Sequence, residues 1–208
     1  MPAVVRIHMA AFPHAALTSF GEAVLLRYYH WQLTGPHDRS AVGLEDDREL
    51  VGFCFAGLFR GSMAGFLRNN RGRLARHMLL HPSLLFNSIV RQRLKSGLAI
   101  LNPLRAKRRP SGSHSRPKSY GILAIAVHPR WQGLGAGKLL MEDAEARARK
   151  AGFHQMHLSV DTINQQAIRF YERLGWQRVV EHGGEWHGYM ERPLRAAATD
   201  PMLSRMDS

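Results

Sequence analysis

A single cysteine, Cys54, stands in the 208 residues. It can close no intrachain disulfide and anchor no zinc cluster, so a disulfide-stapled secreted fold and a thiolate metal centre are both excluded. Long apolar runs are scarce too. The longest, residues 50–59, is about half of the roughly 20 residues that a spanning helix needs, and residues 1–18 lack the basic start and apolar stretch of an export signal. These absences predict a cytoplasmic protein. Acid is missing over a long stretch: between Glu49 and Glu142 there is no Asp or Glu, while residues 50–141 hold sixteen Lys and Arg. The formal net charge of +13 is therefore local, because thirteen basic residues face sixteen acidic ones elsewhere. Such a block reads either as a surface for phosphates, acidic partners or anionic lipid heads, or as a solvated face with a basic loop.

What is present is globular in proportion, 45% hydrophobic against 22% charged. Residues 4–12 and 22–33 carry apolar residues at helical spacing, and residues 41–45 and 50–59 resemble a hairpin closed by the acidic cluster at 46–49. Residues 63–80 and 83–95 are basic, Leu-rich and amphipathic, with Pro82 suited to a helix start. Residues 102–118, rich in Pro, Ser, Gly, Arg and Lys, read as a loop. Next come an apolar strand at 122–127, a helix whose stripe runs Gly137, Leu140, Met141, Ala144, Ala148 and Ala151, and a strand at 154–160. A helix with Ala167, Phe170, Tyr171 and Leu174 follows, then strand-like runs at 176–181 and 185–190 around Gly183 and Gly184, a hairpin signal. The order of elements predicts a sheet covered by helices.

The chemistry concentrates in residues 127–138, where a strand runs through His128-Pro129 into a turn and then a helix. Gly133, Gly135 and Gly137 occupy alternating positions there. Backbone N–H groups collected at the positive end of a helix form an anion cradle, and side chains at Gly135 and Gly137 would obstruct a phosphate approaching the main chain. The spacing fits neither the dinucleotide fingerprint nor the nucleotide phosphate loop, since Lys138 is followed by Leu139.

At these residues the chain resembles the GCN5-related N-acetyltransferase (GNAT) family. Its acetyl-CoA motif, Gln or Arg, two residues, Gly, one residue, Gly or Ala, is matched by Gln132 to Gly137. The resemblance runs over residues 122–194 and includes Asn164, Ala167, Phe170, Tyr171, Glu172, Leu174, Gly175 and Trp176. It implies an α/β (α+β) fold: a mixed, mostly antiparallel sheet with a central parallel splay, helices on both faces and a basic helical insert. One N-acetyltransferase domain would cover residues 1–195, with the insert and loop at 62–118, the best-matching core at 120–194 and a flexible tail at 196–208. It further implies acetyl-CoA as co-substrate, with the pyrophosphate on main chain of Gln132, Gly133, Leu134, Gly135, Ala136, Gly137 and Lys138. The pantetheine arm would pair with Ile125 and Val127 and bond Asn164, while Tyr171 would act as general acid in direct attack of a primary amine on the thioester.

Three features depart from the family pattern. The strand before the glycine turn, residues 120–126, has no carboxylate to serve as base, and Glu45, Asp46, Asp47, His128 and Asp161 are the candidates elsewhere. The chain opens on a helix where the family opens on an edge strand, so the edge beside residues 41–45 is expected to be unpaired and open to homodimer pairing. The basic insert replaces a short turn. His77 and His81 could chelate from one helix, but no carboxylate lies in the surrounding acid-free block, and no metal is expected. The competing reading is a non-catalytic module of the same fold that grips an anionic membrane surface, a ribosome or RNA through its basic segment, nucleic acid being the less favoured partner.

Overall fold

The computed structural model describes residues 1–59, 62–82, 119–180 and 184–194. In chain order the elements are α1 (Pro2–Ala11), α2 (Ala16–Ser19), α3 (Glu22–Thr34), β1 (Asp38–Asp46), β2 (Glu49–Leu58) and α4 (Ser62–Leu80). After these come β3 (Tyr120–Val127), α5 (Ala136–Lys150), β4 (Gln155–Ser159), α6 (Gln165–Arg173), β5 (Gln177–Arg178) and β6 (Tyr189–Pro193). The helix predicted at 83–95, the loop at 102–118 and the tail at 196–208 lie outside the described residues.

Six strands form one sheet in the order β1-β2-β3-β4-β6-β5, antiparallel except for β3 beside β4. This is the mixed sheet with a central parallel pair that the resemblance implied. The apolar run at 50–59 becomes β2, a strand covered on both faces, which is why it does not alternate. Phe53 and Phe55 face Val5, Leu25, Tyr29 and Phe66 of α1, α3 and α4. Cys54 faces the opposite layer, where Leu140, Met141, Ala144 and Ala148 of α5 pack with Trp176. The buried carboxylate of Glu145 ties α5 to β6 through Arg192 at 2.9 Å and also pairs with Arg149.

Local chemistry accounts for the boundaries. Pro2 starts α1, where its missing N–H costs nothing. Asp47 and Arg48, at φ 45° and 67°, make the two-residue turn between β1 and β2, the left-handed backbone that a tight hairpin demands. No described strand pairs with the outer edge of β1, in line with the open edge expected there.

The glycine pair is corrected. β5 and β6 do pair, but the rung nearest the turn is Val179 N–H to Tyr189 C=O at 3.0 Å, so residues 185–188 add no strand and Gly183 lies outside the described residues. The alternation fails because Gly188, at φ 84°, turns its carbonyl to the N–H of Val160 at 2.8 Å. Trp186 folds back to donate its indole N–H to Tyr189 C=O under the Arg178 guanidinium.

One buried polar contact could not be read from spacing. His8 Nδ1 lies 2.7 Å from the Tyr29 hydroxyl, and burial pushes the imidazole pKa down to about 4. A lowered histidine pKa means that the folded state favours the neutral ring. That contribution to stability is whole above pH 6.5 and is lost as pH falls toward 4. Thermal melts at pH 7 and 4.5 should show the wild type losing several degrees more than His8→Asn; equal losses would mean that His8 charges without penalty.

Candidate active site

The site begins where β3 leaves β4. The two strands hold only the pairs Tyr120↔Met156, Gly121↔His157 and Ile122↔Leu158. On its other side β3 passes from Ile122↔Ala56 to Ala124↔Phe55, so Leu123 is an extra residue, a bulge that bends the strand. From there to Val127 the edge toward β4 is open. Which groups face the gap follows from alternation. His128 N–H donates to Val51 C=O of β2 at 2.8 Å, so Ala126 and Ala124 also face β2, and Ile125 and Val127 turn their main-chain groups into the gap. Gln132 Nε2 donates to Val127 C=O at 3.0 Å, fastening the next turn to the strand end.

That turn carries the glycines. Gly133 and Gly135 sit at φ 81° and 87°, a conformation that disfavours side chains, and a Cβ added to either would meet nothing within 4 Å. Packing therefore does not select glycine there; backbone shape and the open space over the main chain do. Gly137 is different, because an added Cβ would lie 3.3 Å from Cζ of Phe170, so this glycine lets α6 approach α5. Helix α5 makes its first internal bond from Lys138 N–H to Gly135 C=O at 2.9 Å. Among the described residues, no backbone carbonyl makes a well-formed hydrogen bond with the N–H groups of Gly133, Leu134, Gly135, Ala136 and Gly137, which are held at most by weak turn contacts. A cradle that a Cβ would fill, lined by weakly held donors at a helix N-terminus, fits a pyrophosphate. Lys138 extends from it but shares its charge with Glu142 at 3.7 Å.

Asn164 is the N-cap of α6, its Oδ1 accepting from Ala167 N–H at 3.0 Å. Its amide nitrogen is the part left for a ligand. Tyr171, on α6, packs at 6.1 Å between ring centroids from Trp176 and within the layer that includes Cys54 and Val127. Burial, with a smaller contribution from the Cys54 thiol, raises its hydroxyl well above the ordinary tyrosine range. It is protonated at neutral pH and able to donate. The same burial pushes the Cys54 thiol up to about 12, which removes it as a nucleophile.

The candidate bases are dispersed. Glu45, Asp46 and Asp47 are at or beside the β1-β2 turn, Asp161 caps a turn by accepting from Ile163 N–H at 3.2 Å, and His128 Nδ1 accepts from Arg130 N–H at 3.4 Å. What spacing did not reveal is a polar strip on β4 and β6. His157 Nδ1 lies 2.9 Å from Ser119 Oγ and its ring stacks on Tyr189, while Gln155 Nε2 donates to Glu191 at 2.6 Å. These side chains occupy the face opposite to α5, at the start of the β3-β4 pairing around Tyr120↔Met156 and Gly121↔His157, before the strands part. Their only signal in the sequence was alternation with the buried Met156, Leu158 and Met190. Among the described residues no group of three His, Cys, Asp or Glu is arranged to hold a metal.

Comparisons with known proteins bear on this geometry. The profile of the Acetyltransferase (GNAT) family matches residues 1–176. A mycothiol acetyltransferase of Nocardiopsis dassonvillei is 40% identical over 55 residues, 26% of this chain and 17% of that protein. The N-alpha-acetyltransferase RimI of Mycobacterium tuberculosis is 32% identical over 92 residues, 44% of this chain and 51% of that one. The matches thus span about a fifth to a half of these relatives' lengths. The PaiA N-acetyltransferase of Thermoplasma acidophilum, solved in complex with coenzyme A, shares the fold with a TM-score of 0.53, 13% identity and coverage of 92% of this chain and 91% of that one. With its profile matched over most of its length, its glycine turn and its parted strands in place, the chain belongs to the GNAT acetyltransferase family.

Proposed function

We propose that this chain transfers an acetyl group from acetyl-CoA to a primary amine by direct attack on the thioester. The observation that carries the reading is the continuous row of main-chain groups from Ile125 and Val127 into the weakly held N–H groups of residues 133–137, with Tyr171 packed beside it. An extended amide-containing arm can pair with an open strand edge as another strand would. A pyrophosphate at its end then meets the helix N-terminus.

In this reading Ile125 and Val127 orient the arm so that its thioester lies in the crotch between β3 and β4. A main-chain N–H near Val127 stabilises the oxyanion as the amine nitrogen bonds to the carbonyl carbon. Tyr171 gives its proton to the sulfur as the C–S bond breaks. The proton shed by the amine leaves to water, since β3 offers no carboxylate. With Cys54 protonated, no covalent enzyme intermediate is needed. The lone, buried thiol suits the cytosol, and among the described residues no helix is long and apolar enough to cross a membrane.

Release of free CoA from acetyl-CoA, measured against a panel of amines, tests the reading. One curated relative is named for an α-amine, so peptides with free N-termini head the panel, followed by amino sugars and lysine. Amine-dependent release is expected; acetyl-CoA binding without turnover on any amine would favour a non-catalytic module. Gly135→Asp, which sets a carboxylate where the pyrophosphate rests, should lower acetyl-CoA affinity by more than about 100-fold in calorimetry while the protein stays folded. Tyr171→Phe should lower kcat by about 10- to 1000-fold and leave acetyl-CoA affinity within about threefold. Equal turnover in that variant would reduce Tyr171 to a packing residue.

A further inference from the structure

Helix α4 starts in the core and ends outside it. Ser62, Gly65 and Phe66 are buried, and half-buried positions then recur at Leu67, Asn70, Leu74, His77 and Met78. The remaining surface presents Arg68, Arg71, Arg73 and Arg76, with Leu79 and Leu80 at its end, 81% and 66% exposed. The helix contains no acid, and none of its arginines pairs with a described carboxylate. Between α3 and α4 runs a groove of about 290 Å³, with Val24, Phe66 and Leu74 among its walls and Arg27, Arg73 and Arg76 along it.

We propose that this face of α4 docks the protein on an anionic lipid bilayer. Four guanidiniums without a described counter-charge are attracted to any polyanion, whether lipid, nucleic acid or acidic protein. The two leucines separate these partners. Side chains this exposed on the same helix as the arginines gain nothing against a sugar-phosphate backbone, but they lose contact with water when they enter the boundary between headgroups and acyl chains. Arginines on the same surface reach the phosphates beside them, and the apolar groove with its basic rim suits one acyl chain under a headgroup. The half-buried side of α4, which walls the groove through Leu74, rests on the body of the molecule, so docking requires no unfolding. The attachment is peripheral, since α4 does not qualify as a spanning helix.

Co-sedimentation of the full chain with vesicles tests this independently of catalysis. Vesicles of phosphatidylcholine with about 30% phosphatidylglycerol should retain the protein, phosphatidylcholine alone should not, and binding should weaken at least about tenfold between about 50 and 300 mM salt. Arg73→Glu with Arg76→Glu, and separately Leu79→Ser with Leu80→Ser, should each weaken it by about tenfold or more. All four positions are exposed, and circular dichroism with acetyl-CoA affinity would register any loss of fold. Vesicle binding that ignores lipid charge, or that either pair leaves unchanged, overturns the proposal. So does a preference for single-stranded RNA over vesicles that survives loss of the leucines, the behaviour of a nucleic-acid surface.

Discussion

Everything at the candidate site depends on the shortness of one parallel pairing. β3 and β4 share three residue pairs, and the extra residue at Leu123 then carries β3 away along β2. Main-chain groups inside a protein must be paired. Those of Ala124 and Ala126 find β2, whereas Ile125 and Val127 are turned toward a neighbour that has diverged. A strand edge kept open in the middle of a sheet is at once a local loss of hydrogen bonding and a template for an extended ligand. The glycine turn extends the template past Val127, and Gln132 holds the two parts in register.

The rest of the fold keeps that opening rigid. β2 is clamped by aromatic packing on one face and by α5 on the other, so β3 can lose β4 without losing its place. Phe170 over Gly137 locks α6 onto α5, which sets Tyr171 in the same layer as Val127. The closeness that Gly137 permits is therefore also a positional requirement on the proposed acid.

The elements that were legible in the sequence are those whose cause is local. The stripe of α5, the glycine turn and the apolar strand of β2 follow from spacing and residue type alone. Gly137 was legible as a requirement but not in its reason, because Phe170 lies thirty-three residues away. The bulge at Leu123 leaves no mark in an apolar run, so the splay came only with the family resemblance. The His8-Tyr29 and Ser119-His157 contacts join positions 21 and 38 apart and cannot be inferred from periodicity. The Gly183-Gly184 signal was local and real, yet the bond from Val160 to Gly188 and the folded-back Trp186 overrode it.

Backbone amide exchange on the free chain and with acetyl-CoA tests the central claim most directly. The account predicts that the amides of Ile125, Val127 and residues 133–137 exchange readily in the free protein and become protected with ligand, while Ala124 and Ala126, already bonded to β2, change little. Protection confined to other segments, or equal protection of all four residues from 124 to 127 before ligand is added, would contradict it.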